Sequence, residues 1–184
     1  MGILQDDLKQ RQPFAGPEEE AYLNLVRTTD FLNREVAAVL KPHQLSEAQY
    51  NVLRILRGAG EAGHACSEIA SRLVTRDPDV TRLLDKLEAR ELLARSREHA
   101  DRRVVTTRIT VQGLALLKTL DRPMRDAVER MLAHIPARQL RALTTLLESA
   151  RRGDPGRAAR TPAPAAPTAS AARPGRRPSA RSKP

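Results

Sequence analysis

The sequence contains no tryptophan, and aromatic residues make up only 2% of its 184 residues. Hydrophobic residues nevertheless account for 40% of the chain, so the core must be built from Leu, Val, Ile and Ala, which favours helices over a β-sandwich. The single cysteine, Cys66, excludes a disulfide within the chain. No apolar run approaches the ~20 residues that a membrane span needs, which predicts that a membrane is not a partner.

Signals for export and for catalysis are also missing. The first residues, MGILQDDLKQRQPFAG, are too charged for a secretory signal, so we expect a cytoplasmic protein. The chain has no glycine-rich phosphate loop, no HExxH and no GxSxG motif. His64 and Cys66 lie close together, but no histidine or cysteine pair has a convincing ligand spacing. We therefore expect no enzyme, no cofactor and no metal site.

Positive charge is present in excess, with 32 Lys and Arg against 22 Asp and Glu. Seven basic residues and one acidic residue lie between Gly153 and Pro184, in a Pro-, Ala-, Arg- and Ser-rich segment without periodicity. Such a composition cannot bury enough apolar surface to offset its ordering entropy, which predicts a disordered basic tail. The net charge of +10 predicts a polyanionic partner such as double-stranded DNA.

Apolar residues recur at helical spacing on both sides of the middle of the chain. One such helix is predicted over residues 18–41 and is stopped by Pro42. Thr110 can cap a long helix, Pro123 should kink or split it, and Pro136 opens a last helix. These helices have more apolar face than a monomer needs. We therefore predict that they pair with a second copy of the chain.

A capping box begins the central part of the chain. Ser46 and Gln49 have the spacing in which each side chain bonds the other residue's backbone N–H. The helix that they start is predicted to end at the glycines from Gly58 onward. A short helix is predicted next, over residues 67–74.

The segment TRDPDVTRLLDKLEAR predicts a further helix after a tight turn at Thr75–Arg76. Asp77 is a suitable N-cap, and Pro78 would occupy the first helical position, where its missing N–H costs nothing. Four residues at i, i+3, i+4 and i+7 predict one buried face: Val80, Leu83, Leu84 and Leu87. The opposite face begins at Pro78 and carries Thr81, Arg82 and Asp85. Two short helices joined in this way form a helix-turn-helix.

A β-hairpin is predicted directly after this helix. Leu92–Arg97 and Arg103–Ile109 alternate apolar and polar residues, and EHAD lies at the turn between them. A hairpin in this place is a wing, and its tip would lie beside the minor groove, whose negative potential suits arginine. Asp101 can pair with Arg103 and hold its guanidinium in one direction.

Together these signals predict a mainly α protein: a winged helix-turn-helix with a small β-hairpin wing and a helical dimerisation region, plus a disordered basic C-terminal tail. The predicted boundaries are a flexible N-terminus over residues 1–17, a winged-helix domain over 18–151 and the tail over 152–184. Within the domain, the DNA-binding core covers about residues 46–109, and the dimerisation helices cover residues 18–41 and 110–151.

From about Glu18 to Arg151 the sequence resembles the MarR family of bacterial transcription regulators. The resemblance is carried by SEIASRLVTRDPDVTRLLDKLEARELL and by DRRVVTTRITVQGLALL, whose wing signature is Asp101, Arg103, Thr110 and Gly113. It implies a winged-helix homodimer that binds a palindromic operator, usually as a repressor, and that a small-molecule effector releases. Glu91 departs from the family pattern, which has Gly there, and a positive φ would strain it mildly.

Carried over to matching positions, the resemblance implies a small set of DNA-binding residues. Thr81 and Arg82 would face bases or phosphates. Arg102 and Arg103 would enter the minor groove, and Asp101 would position Arg103. The complete set is Arg76, Pro78, Thr81, Arg82, Asp101, Arg102 and Arg103.

Two other functions are consistent with parts of the sequence. The basic tail would support a non-specific, nucleoid-type DNA-binding protein, because such tails bind phosphates without reading bases. Cys66 near a helix start would support a redox-sensing regulator. The family's peroxide sensors, however, have their reactive cysteine in the first helix, and this chain has none there.

Overall fold

A computed structural model describes residues 3–75, 79–97 and 105–153. Its helices are α1 (Ile3–Asp7), α2 (Pro17–Leu40), α3 (Glu47–Ala59), α4 (Cys66–Arg72), α5 (Val80–Glu88), α6 (Val111–Leu132) and α7 (Ala137–Arg152). Its strands are β1 (His64–Ala65), β2 (Leu93–Arg97) and β3 (Val105–Ile109), and single 3-10 turns follow α2 and α3. The chain divides into two units between Ile135 and Pro136, so α7 is described by itself. Within the described ranges, no helix is long and apolar enough to cross a membrane.

The predicted winged helix-turn-helix is confirmed. α3, α4 and α5 are followed by the hairpin of β2 and β3, and α6 begins directly after the hairpin. The hairpin is joined by β1, so that the antiparallel strands have the order β1-β3-β2. β1 was not predicted, because a strand of two residues is too short to show an alternating pattern.

The capping box predicted at the start of α3 is present. The hydroxyl of Ser46 accepts a hydrogen bond from the Gln49 N–H at 3.2 Å, and the Gln49 side chain accepts one from the Ser46 N–H at 2.9 Å. The helix then presents its apolar side to the interior, where Val52, Leu53 and Leu56 have no solvent exposure. These residues form the centre of a core that also contains residues of α2, α4, α5, β2 and α6.

The two ends of the apolar stripe on α2 lie in different environments. Towards its C-terminal end Val36 and Val39 pack against the core, and Leu40 is fully buried. Towards its N-terminal end Tyr22 and Val26 are more than half exposed. The helix ends at Leu40, one residue earlier than predicted. A 3-10 turn over Lys41–His43, which contains Pro42, follows it. α1 lies within the segment expected to be flexible, and its Leu4 is buried.

Thr110 caps α6 as predicted, accepting a hydrogen bond from the Gly113 N–H at 3.0 Å and donating one to the Glu91 carbonyl at 2.6 Å. Pro123 does not split α6, which is one helix from Val111 to Leu132. Because Leu120 and Met124 on either side of the proline are buried, core packing holds the two parts together.

Two local predictions need correction. The N-cap of α5 is Asp79, not Asp77, and the helix begins at Val80. The sequence offers two aspartates around one proline, and Asp79 is the one whose carboxylate accepts the hydrogen bond from the Arg82 N–H, three residues later. β2 is also shorter than predicted, because it begins at Leu93. β3 is described from Val105, and the predicted strand residues before it lie outside the described ranges.

Candidate nucleic-acid interface

α5 separates its apolar and polar residues onto opposite faces. Val80, Leu84 and Leu87 are buried in the core, while Thr81 and Arg82 are exposed in the first turn of the helix. Asp85 and Lys86 extend the exposed face by one turn. An exposed polar face at the N-terminal end of the second helix is the arrangement with which a helix-turn-helix contacts base edges.

The first turn of α5 is held by its own cap. A carboxylate oxygen of Asp79 accepts a hydrogen bond from the Arg82 N–H at 3.0 Å. This bond satisfies one of the N–H groups that the start of a helix leaves without an intrahelical partner. It also fixes the backbone from which Thr81 and Arg82 project.

The turn between α4 and α5 is anchored to α3. The side-chain oxygen of Asn51 accepts a hydrogen bond from the Val74 N–H at 3.0 Å. Asn51 therefore fixes the position of Val74, two residues after the end of α4. Asn51 is not recognisable from the sequence, because a polar residue within a helix gives no signal of a partner 23 positions away.

The other end of α5 is fastened by Arg90. Its guanidinium donates to the carbonyls of Gln44 at 2.7 Å and His43 at 2.9 Å, joining the helix end to the segment before α3. Glu91 follows at φ 56°. The position where the family pattern has glycine therefore adopts a left-handed conformation. Gly113 packs against the backbone that follows α5, because a Cβ on it would lie 2.2 Å from the Leu92 carbonyl oxygen.

The hairpin carries Arg97 at the end of β2, where it is exposed. Arg108 on β3 instead spans the hairpin base, donating to the Glu61 carbonyl at 2.7 Å and to the Ser96 hydroxyl at 2.8 Å. Beside it Gly63 has φ 65°, and a Cβ on it would lie 2.5 Å from the Thr107 carbonyl oxygen. This glycine therefore allows β1 to join the sheet.

Arg95 connects the hairpin to α5. Its Nε donates to Glu88 at 2.8 Å, its Nη2 donates to Asp85 at 2.6 Å, and its backbone N–H donates to Glu88 at 3.2 Å. The Arg95 hydrogen bond holds the pKa of Glu88 below its ordinary value, and the two carboxylates raise the pKa of Arg95. The sequence placed Asp85 on an exposed polar face and gave no indication of this partner on a later strand.

Of the seven predicted DNA-binding residues, the structure describes Thr81 and Arg82, which are adjacent in the first turn of α5. The other five lie outside the described residues, as do Asp77 and the EHAD turn: Arg76, Pro78, Asp101, Arg102 and Arg103. The basic tail from residue 154 onward also lies outside them. The roles of all seven residues therefore stay predictions.

An open groove of about 740 Å³ lies between α3 and α6. Arg57 of α3 donates two hydrogen bonds to Asp121 of α6, at 2.8 and 2.9 Å. In the same groove the Arg54 guanidinium lies 5.8 Å from the centre of the Tyr50 ring. The groove thus offers arginine side chains and an aromatic face where the helix-turn-helix meets the long helix.

Cys66 is the first residue of α4 and packs against the core in a partly buried position. His64, two residues before Cys66, pairs with Glu68 at 2.9 Å. Over the described ranges, no three His, Cys, Asp or Glu side chains are grouped so that they could hold a metal ion.

Comparison with known proteins places these features in a family. A model of the MarR family matches residues 45–105, the segment from just before α3 to the start of β3. An HTH-type transcriptional repressor of Mycobacterium bovis is 30% identical over 124 residues, which cover 67% of this chain and 88% of the relative.

Solved structures agree with the family match. The MarR transcription factor from Planctomyces limnophilus is 42% identical, with a TM-score of 0.58, covering 74% of this chain and 98% of that one. The transcriptional repressor CouR, solved on a 23-mer DNA duplex, is 28% identical, with a TM-score of 0.65, covering 76% and 99%. Because these relatives are transcriptional regulators, the expectation that the chain is not an enzyme is confirmed. The chain is a member of the MarR family of transcriptional regulators.

Proposed function

We propose that the protein acts in the cytoplasm as a sequence-specific repressor that binds a palindromic operator as a homodimer. In this proposal the DNA-binding core is about residues 46–109, and residues 18–41 and 110–151 form the dimer. Two copies of α5 enter successive major grooves, so the half-site centres lie about one helical turn, ~10 bp, apart. The wing of each copy lies over the neighbouring minor groove, and bound protein blocks access to the promoter.

The observation that carries this proposal is the exposed first turn of α5. Thr81 and Arg82 stand there on a capped, rigid turn, and the buried face of the same helix prevents it from rotating. Arginine can bond two acceptors of guanine in the major groove, and threonine can contact bases or phosphates. The DNA-bound structure of CouR, a relative of 28% identity, supports the same use of the fold.

Selection of duplexes from a randomised pool tests this function directly. The full chain should enrich a palindrome with the half-site spacing given above, and its binding should exceed that of a scrambled duplex across a salt series. Enrichment of no sequence, with equal binding that collapses as salt rises, would favour the non-specific alternative. In that case removal of residues 153–184 should abolish most of the binding.

Arg82→Ala tests the assignment of the recognition surface. Loss of a base contact should cost ~1–3 kcal/mol on the selected duplex and relax the preference at one position of each half-site. Arg11→Ala is the matched control, because Arg11 is an exposed arginine outside both the DNA-binding core and the proposed dimerisation helices. Equal effects of the two substitutions would remove Arg82 from the interface. Arg76, Pro78, Asp101, Arg102 and Arg103 complete the proposed interface by resemblance.

Dimerisation is proposed from apolar residues that the chain leaves exposed. On α2, Tyr22, Leu25 and Val26 lie at i, i+3 and i+4, and all are at least 43% exposed. On α7, Leu143 is 41% and Leu146 is 68% exposed. Apolar stripes of this extent usually mark an interface. Sedimentation equilibrium of the full chain should give a dimer, and a monomer at micromolar concentration would contradict the proposal.

The groove between α3 and α6 is the proposed site of a small-molecule effector. An anionic compound with a flat ring suits it, because Arg54 can pair with the anion and Tyr50 can stack with the ring. An effector acts only through its different affinities for the DNA-binding and the released conformations. Aromatic carboxylates should lower DNA affinity for the natural chain and have a weaker effect on Arg54→Gln.

A further inference from the structure

We propose that Arg95 is a positioning residue for DNA binding, because its guanidinium clamps the wing strand β2 to the last turns of α5. The clamp makes the recognition helix and the wing meet DNA as one rigid unit. The inference rests on the proposed function, since it assigns a role within the binding of an operator.

The clamp uses both oxygens of one carboxylate and one oxygen of a second. Glu88 accepts from the Arg95 backbone N–H with one oxygen and from Nε and Nη2 with the other. Nη2 also donates to Asp85, one helical turn earlier. A planar guanidinium presents its N–H donors in a fixed fork that fits the two carboxylates, whereas an ammonium group is a point charge without that fork. The strand is therefore tied to α5 through its backbone and its side chain together.

Arg95 lies at the middle of β2, where a small rotation would be amplified further along the hairpin. It pairs with Thr107 of β3, and Arg97 lies two residues further out, ~7 Å along the strand. Arg97 is exposed and forms no ion pair within the described residues. The direction in which Arg97 projects from β2 therefore depends on how firmly the middle of the strand is held to α5.

The clamp also changes the charge that DNA would meet. Asp85 lies on the exposed side of α5, three residues after Arg82. An unneutralised carboxylate there would repel the phosphates on either side of the groove. Arg95 offsets this charge, and it does so without belonging to the hydrophobic core that holds the fold together.

The experiment compares two duplexes built on the palindrome that the natural chain selects. The base pairs flanking each half-site, where the wing would lie, are set to A/T in one duplex and to G/C in the other. Binding of both is measured by fluorescence anisotropy for the natural chain and for Arg95→Gln, Arg95→Lys and Arg97→Gln. Circular dichroism melts are recorded for every variant to follow the fold.

Arg95→Gln should lower the preference for A/T flanks about fivefold, the lower end of what one well-placed contact contributes to discrimination. Arg97→Gln should lower affinity for both duplexes by the same factor, since it removes a charge without loosening the clamp. Arg95→Lys should bind with the overall affinity of the natural chain but without its preference for A/T flanks, because it keeps the charge and loses the fork.

Three results would overturn the inference: a natural chain without flank preference, an unchanged preference in Arg95→Gln, or full recovery of the preference in Arg95→Lys. If Arg95→Gln unfolds, Asp85→Asn takes its place, because Asp85 is exposed and carries only part of the clamp. It should lower the flank preference about twofold to threefold, and no change would equally overturn the clamp. Failure to select any palindrome would instead count against the proposed function.

Discussion

α5 and α7 are amphipathic helices with similar apolar spacing but different surroundings. In α5 the stripe of Val80, Leu84 and Leu87 is buried within the chain. In α7 no residue is buried, although Leu140, Leu143 and Leu147 have the spacing of a stripe. The pattern in a sequence thus predicts that a face will be covered, but it does not tell whether the cover comes from the same chain.

The largest expected effect tests the buried side of this comparison. Leu84→Ala should lower the free energy of unfolding by ~2–5 kcal/mol, because it leaves a cavity in a core where Leu84 is 1% exposed. Leu143→Ala in α7 is the matched control and should cost less than ~1 kcal/mol when the protein is dilute enough to be monomeric. Urea denaturation measures both, and equal costs would show that α7 is covered within the chain.

The second prediction concerns the exposed side. Leu146→Arg on α7 should raise the dimer dissociation constant by a factor that corresponds to ~2 kcal/mol or more, as for a central interface residue. Sedimentation equilibrium measures the change, and circular dichroism should show that the helix remains. A variant that dimerises as the natural chain does would remove α7 from the proposed interface.

The third prediction asks which aspartate begins α5. Asp79→Ala should lower the free energy of unfolding by ~1 kcal/mol, because it removes the bond to the Arg82 N–H. Asp77→Ala should have an effect within ~0.5 kcal/mol, as expected for a substitution that removes no cap. The reverse order of the two costs in chemical denaturation would restore Asp77 as the N-cap.

The smallest expected effect is a dependence on pH. Because Arg95 holds the folded pKa of Glu88 below its unfolded value, the pair stabilises the protein fully above the ordinary glutamate pKa of ~4.3. This stability is lost as the pH falls through the lowered folded pKa. Glu88→Gln should therefore be less stable by no more than ~1 kcal/mol at neutral pH, and the difference should vanish in acid.

Urea denaturation at a series of pH values measures that difference. Glu148→Gln, a substitution at an exposed glutamate of α7, is the control and should show no such trend. A gap between the natural chain and Glu88→Gln that persists below the folded pKa would contradict the ion pair as its source.

The parts of the molecule that the sequence predicted are those whose signals are local. The Ser46–Gln49 box and the Thr110 cap depend on partners three residues away, so spacing alone identifies them. The apolar residues at helical spacing predicted α5, and the face opposite to them predicted that Thr81 and Arg82 are exposed. The positive φ of Glu91 was anticipated from the family pattern as a strained position.

The parts that the sequence did not predict depend on contacts between distant segments. β1 exists because His64 and Ala65 meet β3, more than 40 residues later. Asn51 and Arg95 became recognisable only when α3 met the turn after α4 and when β2 met α5.

By itself, the sequence determined most of the helices, the caps of α3 and α6 and the surface that faces outward from α5, because backbone periodicity and short-range hydrogen bonds are properties of neighbouring residues. Only the tertiary structure decided which charges are neutralised and which apolar stripes find cover. An ion pair such as Arg95 with Asp85 and Glu88 depends on distances of a few ångströms between elements, and the packing of the whole core sets those distances.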